Sequence, residues 1–301
     1  MRFSVWPGSA GTWASTLSIA KHAEATGWDG LWYADHFMPN TPTAEGPTNE
    51  AWTTLAGLAV AVPRIRLGTL VTGNTYRHPA VLAKIAAGVD IISDGRVVLG
   101  IGSGWQENEH EAYGLEFSTV GGRLRRLEEA CVIIKSLLAN DRTDFDGEFY
   151  QLKDAPLDPK PVQDPLPLMI GGGGEKVTLR ITAQHADEWN VWGTPGVLRD
   201  KMAILDQHCE KLGRDPKEIE RSAVAMLMIE GLNGDADAIA KAKGEGRPVV
   251  GGTIDEIKAT IAEYQADGVE EFIVPDFNMG GGDKRQAVYD AFINEVAPSF
   301  R

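Results

Sequence analysis

Apolar and β-branched residues gather into eight short runs along the chain, at residues 3–6, 31–34, 65–72, 97–101, 168–170, 189–192, 223–229 and 272–274. Runs of this length and composition read as buried strands. Between them lie segments with apolar residues at three-and-four spacing. The clearest is 123–139, where Leu124, Leu127, Cys131, Ile134 and Leu138 share one helical face, which places Cys131 in the core. Strand alternating with helix predicts right-handed βαβ units and a parallel sheet. Eight strands fit an α/β fold of the closed (β/α)8 TIM-barrel type, with an open doubly wound sheet as the alternative. Such barrels use about 250 residues or more as one unit, so residues 1–301 are read as a single barrel domain.

A weak internal echo supports the repeat. Gly27-Trp28-Asp29-Gly30, His185-Ala186-Asp187-Glu188 and Gly268-Val269-Glu270-Glu271 each set an acidic residue between a helix end and a strand. These read as αβ loops at the bottom of the barrel, so chemistry is expected at the opposite strand ends. Three connections run long, after strands two, four and seven: 39–50, 140–167 with a hairpin-like Phe145-Asp146-Gly147-Glu148-Phe149-Tyr150, and 231–252 before the capping box Thr253-Ile254-Asp255-Glu256. The first and third follow strand ends, where a lid or substrate wall and mere scaffold decoration are both open readings.

Charge narrows the partners. With 29 basic and 43 acidic residues the formal net charge is −14, the wrong sign for nonspecific adhesion to nucleic acid or anionic membrane. An anionic ligand must be held by a local device. No run is long and apolar enough to span a bilayer, no leader segment is evident at the start, and two distant cysteines suggest no disulfide framework. The cytoplasm is the default expectation. The six histidines show no metal-ligating spacing, so no metal site is expected, and Gly102-Ser103-Gly104 lacks the spacing of a nucleophile elbow.

The strand ends carry the candidate chemistry. Strand two ends in Ala34-Asp35-His36-Phe37, a carboxylate beside an imidazole, suited to proton transfer or to a structural pair. Strand three runs into Thr72-Gly73-Asn74-Thr75-Tyr76-Arg77-His78-Pro79, where Gly and Asn permit a bulge and close approach to a flat ligand, with Tyr76, Arg77 and His78 as a polar rim and Pro79 opening a helix. Strand four ends in Gly100-Ile101-Gly102-Ser103-Gly104-Trp105. A dinucleotide fingerprint fails there, because Trp105 or Glu107 occupies the third glycine position in either register. Strand five is followed by Gly171-Gly172-Gly173-Gly174-Glu175, whose exposed backbone N–H groups at a helix start suit a phosphate.

Taken together, these stretches, with Ser93-Asp94-Gly95-Arg96, Tyr113-Gly114 and His208-Cys209-Glu210-Lys211-Leu212-Gly213-Arg214-Asp215-Pro216, resemble the bacterial luciferase-like superfamily, and most closely its branch that uses the deazaflavin coenzyme F420. The resemblance implies a barrel with the coenzyme ring across its C-terminal mouth and the phosphate at the helix after strand five. It implies His36 and Glu109 as catalytic proton-handling residues. Coenzyme contacts would come from Asp35, Thr72, Gly73, Asn74, Gly102, Gly172, Gly173, Gly174 and Glu175. Trp6, Trp105 and Tyr76 would wall the substrate pocket. A non-prolyl cis peptide near Thr72 to Asn74 is also implied.

The activity implied is hydride transfer between F420 and a small organic substrate. The nearest rival is an FMN-dependent monooxygenase using O2, which would need a partner flavin reductase to supply FMNH2; a non-catalytic flavin-binding relative is a third reading. No basic cluster stands in 39–50, which disfavours a sugar phosphate. Barrel relatives are often homodimers.

Overall fold

The apolar runs close into one parallel barrel, seen in a computed structural model that describes residues 1–301 except Pro42 and Arg247. Those two belong to the first and third long connections and lie outside the described residues. Strand β1 (Arg2–Trp6) leads through α1 (Trp13–Thr26) to β2 (Gly30–Tyr33), then α2 (Ala51–Ala61), β3 (Arg66–Thr69) and its short continuation β4 (Thr72–Gly73). Helix α3 (Pro79–Ser93) returns to β5 (Val97–Gly102), followed by α4 (Glu107–Tyr113), α5 (Val120–Ala139) and a hairpin of β6 (Arg142–Asp146) and β7 (Gln151–Pro156). The repeat continues through β8 (Leu168–Gly171), α6 (Thr178–His185), β9 (Glu188–Trp192), α7 (Pro195–Leu212) and β10 (Glu220–Val224). An excursion of β11 (Met226–Ile229), α8 (Ala236–Gly244) and β12 (Val249–Gly252) precedes α9 (Ile254–Ala266), β13 (Glu271–Pro275) and α10 (Asp283–Ala291).

Eight barrel positions are filled in chain order by β1, β2, β3 with β4, β5, β8, β9, β10 and β13, each parallel to its neighbours, and β13 pairs back onto β1 with Phe3 opposite Phe272. The expected (β/α)8 barrel is therefore what forms. Its interior is filled by Trp32, Val98, Met169, Val224 and Ile273, while a larger apolar shell between strands and helices buries Trp28, Tyr264 and Phe292. This is the two-layer arrangement in which the barrel is a packed core and only its rim is free for chemistry.

The bottom loops behave as the echo predicts. Asp29 accepts the Phe3 N–H at 2.8 Å, Asp187 the Leu168 N–H at 3.0 Å and Glu270 the Arg221 N–H at 3.3 Å, each carboxylate tying a neighbouring strand. The hairpin and the capping box form where expected. Two expectations shift. The apolar run 223–229 is not one strand: β10 ends at Val224, and β11 leaves the barrel to pair in parallel with β12. Both pieces are apolar, so hydrophobicity cannot mark the break. On α5 the buried stripe is rotated, with Ile133 and Leu137 fully covered and Leu124 and Leu138 only partly so. Cys131 is in the core, its thiol pushed up to about 12 by burial.

Candidate active site

At the C-terminal strand ends a cavity of about 700 Å³ opens, a size suited to a small organic ligand. Its floor comes from the third strand. The Leu70–Val71 peptide is cis, one step before the Thr72 to Asn74 stretch where it was expected. The Val71 side chain lies against Gly102 and Gly171: a Cβ added to either glycine would fall 2.9 or 2.8 Å from a Val71 methyl. Gly102 is thus occupied by Val71 and does not line the cavity. Gly100 serves strand packing, since a Cβ there would sit 1.9 Å from the Thr69 carbonyl oxygen. Of the Gly100–Gly104 stretch only Gly104, with φ of 80°, reaches the cavity wall.

Strand β2 delivers His36 to the cavity, with its side chain 19% exposed. Helix α4 places Glu109 directly behind it, fully buried. Glu109 Oε1 takes the His36 Nδ1 at 2.8 Å, its Oε2 accepts the Phe37 N–H at 2.8 Å, and the Tyr76 hydroxyl donates to Oε1 as well. Burial works against ionising Glu109, but the hydrogen bonds from His36, Tyr76 and Phe37 outweigh it and hold the carboxyl below its usual range. Burial and the bond to Glu109 push the Tyr76 phenol well above its ordinary value, so it stays a neutral donor. With Nδ1 committed to a carboxylate, Nε2 is the free nitrogen of a cavity-lining ring.

Asp35 does not face the cavity. It is fully buried and bound by Arg77 at 2.6 and 3.3 Å, and Arg77 also reaches Glu50 at 2.5 Å. Burial raises the Asp35 carboxyl more than Arg77 lowers it. Arg77 is accordingly no part of a polar rim. His78 instead caps α3 through the Ala80 N–H. Thr72 is buried and accepts the Trp52 indole N–H at 3.0 Å, and the buried Asn74 gives its backbone N–H to the Gly102 carbonyl at 2.8 Å, leaving its side-chain nitrogen unpartnered. Gly73, Tyr76, Trp6 and Trp105 line the cavity.

Gly172 and Gly173 line the cavity too, but Gly174 and Glu175 belong to a groove beside it, shared with Lys176, Thr178 and Lys201. Helix α6 begins there with Val177 as its N-cap and no side-chain cap bond. Glu175 is paired to Lys201 at 2.5 Å, and its carbonyl accepts from His208 at 2.8 Å.

The first long loop does form a wall, through Pro39, Asn40 and Thr48, continuous with Met38 just before it. It is fastened by Gln106 to the Met38 carbonyl at 2.9 Å and by Asn108 to the Pro39 carbonyl at 3.2 Å. The third long connection supplies no described residue to the cavity. Sequence reasoning missed Trp192 and Phe277, which line it with Trp6. Trp192 was visible as the last residue of an apolar run, whereas Phe277, past the end of its run, offered no signal.

Residues 1–242 match the family described as luciferase-like monooxygenase. The chain is 39% identical over 217 residues to an F420-dependent glucose-6-phosphate dehydrogenase of Kineococcus radiotolerans, covering 70% of this chain and 63% of that one. It is 37% identical over 163 residues to the protein of the same name from Amycolatopsis mediterranei, covering 54% and 48%. The chain thus spans about half to three-fifths of these curated relatives. An F420-dependent secondary alcohol dehydrogenase, solved with an F420–acetone adduct, superposes over the whole of both chains with a TM-score of 0.84 at 20% identity, a likeness of fold. With four-fifths of its length matching one family and its barrel shared with solved structures, the chain belongs to the luciferase-like monooxygenase family.

Proposed function

We propose that this protein is an F420-dependent oxidoreductase acting on a small organic substrate. The observation that carries the reading is the cavity-lining imidazole of His36, whose Nδ1 is anchored at 2.8 Å on the buried Glu109 carboxylate. The names of its 37–39% identical relatives support the coenzyme. The site fits a flat ring with a phosphate. Gly171, Gly172 and Gly173 line the cavity without side chains, Gly171 in contact with Val71, and Cβ atoms at Gly173 and Gly174 would crowd Val191 and Thr178. Gly171 to Gly173 and Val71 would hold the ring, and Lys176, Lys201 and the uncapped start of α6 its phosphate. The −14 chain would in this way bind an anion through a local cationic pocket.

When bound, the deazaflavin supplies a hydride acceptor or donor at one carbon. The protein handles the matching proton. His36 Nε2 accepts it from a substrate hydroxyl or returns it to a carbonyl oxygen, while Glu109 holds the ring in one orientation and offsets the positive charge of the imidazolium. Glu109 is therefore a positioning residue beneath a catalytic histidine. Tyr76 and the Phe37 N–H keep its carboxylate ionised.

The test is a titration of purified protein with F420 and, separately, FMN, followed by coenzyme fluorescence. Tight F420 binding with weak FMN binding, and no oxygen uptake on supplying reduced coenzyme, is the expected result. The reverse preference together with oxygen consumption would move the assignment to the FMN-dependent monooxygenase.

A further inference from the structure

The cavity walls restrict what can share the site with the coenzyme. Among the described lining residues there is no Lys, Arg, Asp or Glu, and His36 and Tyr76 are the titratable groups. Cations on the surrounding elements are already committed: Arg77 lies between Asp35 and Glu50, and Arg285 pairs with Asp276 at 2.5 Å. Asp276 also accepts the Gly8 N–H at 2.9 Å, which closes that side. Lys176 and Lys201 face the outer groove. A phosphorylated substrate would lose its hydration here with no countercharge to replace it.

The opposite feature is aromatic. Trp6 packs on Trp192 and Phe277 with ring centroids 5.6 and 5.1 Å apart, and Trp192 and Phe277 are 6.3 Å apart. Trp105 stands edge-on to His36 at 5.4 Å. Such faces bind flat or alicyclic hydrocarbon. Resting on the F420 reading of the same site, we propose that the substrate is an uncharged secondary alcohol or ketone whose ring-bearing body packs on Trp6, Trp192 and Phe277 with its oxygen at His36. In the oxidative direction the carbinol C–H bond breaks and its electron pair leaves with the hydrogen for the deazaflavin. The O–H proton goes to His36 Nε2, and the C=O bond forms.

Binding and turnover test this separately. Acetophenone, cyclohexanone and glucose 6-phosphate are titrated into the F420-loaded protein and the unloaded protein while tryptophan fluorescence is followed. The corresponding alcohols are then added to the loaded protein and the F420 absorbance is read. The ketones should quench saturably, the alcohols should bleach the coenzyme, and glucose 6-phosphate should do neither. Phe277→Ala, at a half-exposed position where folding is not at stake, should weaken ketone binding roughly tenfold and leave F420 affinity unchanged. Trp192→Ala gives a second reading of the same wall. Saturable glucose 6-phosphate binding with the ring ketones silent overturns the proposal, as does ketone binding indifferent to both substitutions. Failure of F420 to bind would instead sink the coenzyme assignment, while the unloaded titration would still judge the aromatic wall.

Discussion

The two ends of the barrel are built from the same residue types and do opposite things. At the base, Glu188, Glu220 and Glu271 converge with their oxygens within 4.8 Å of one another, but Arg66 binds Glu188 at 2.5 Å and Glu271 at 3.5 Å, and Arg2 joins Glu220 and Glu271. Ser4 and the Trp32 indole add bonds to Glu271 at 2.5 and 2.8 Å. At the mouth, Glu109 likewise collects several donors, yet one of them is an imidazole that lines an open cavity. Buried carboxylates alone therefore do not mark a site. What distinguishes the mouth is a titratable group with one face committed and the other free, whereas the base spends every charge on closing the strands.

The comparison is broken most sharply by two substitutions at opposite ends. His36→Ala should lower kcat by about 10²- to 10⁴-fold and leave the melting temperature and F420 affinity nearly unchanged, as steady-state rates and calorimetry would reveal. Arg66→Met should do the reverse. Leaving the buried Glu188 and Glu271 and the partly exposed Glu220 with Arg2 alone costs about 3–5 kcal/mol of stability, read by urea unfolding, with turnover per folded molecule intact. A rate loss from Arg66→Met without a stability loss would mean that the base communicates with the site.

Glu109→Gln should be milder: replacing a charge-assisted bond worth about 1.5–3 kcal/mol lowers kcat by about 10- to 100-fold, with little change in coenzyme affinity. Acid should narrow both deficits, from opposite shifts of the two carboxyls. Glu109 titrates below its ordinary 4.5 in the folded protein, so its ionisation favours folding above that value, and the benefit is lost as pH falls through the lower folded value. The stability gap between wild type and Glu109→Gln should narrow below about pH 4.5. Glu188 runs the other way, because burial raises it more than Arg66 lowers it. The Arg66→Met deficit should thus be largest at neutral pH and shrink on acidification. The smallest effect is a control: Arg125→Ala, which removes an exposed pair with Glu148, should leave melting and turnover within scatter.

Much of the mouth is legible in the sequence because the barrel repeat dictates which residues end each strand. His36, Gly73 and Gly172 follow from that rule, whereas Trp6 comes through the family resemblance. Partner choice does not. Asp35 and His36 are adjacent in sequence, yet one turns into the wall toward Arg77 and the other toward the cavity, and nothing local decides between them. The strand-four glycines look like a ligand cradle in one dimension. In three, Gly100 and Gly102 are taken up by Thr69 and Val71 of the neighbouring strand. Phe277 was invisible because it lies past its strand, in a segment without periodicity.

The packing of Val71 between Gly102 and Gly171 has an evolutionary consequence. Neither glycine has a backbone conformation that forbids a side chain, so steric contact with one valine is what excludes alanine at both. A lineage that first shortens Val71 opens both positions to larger residues, while one that tries either glycine first meets an immediate clash. The history of the cavity floor is therefore directional: its accessible variants depend on the order in which three positions on three strands change, and relatives with a bulkier residue at either glycine position should carry a smaller one in place of the valine.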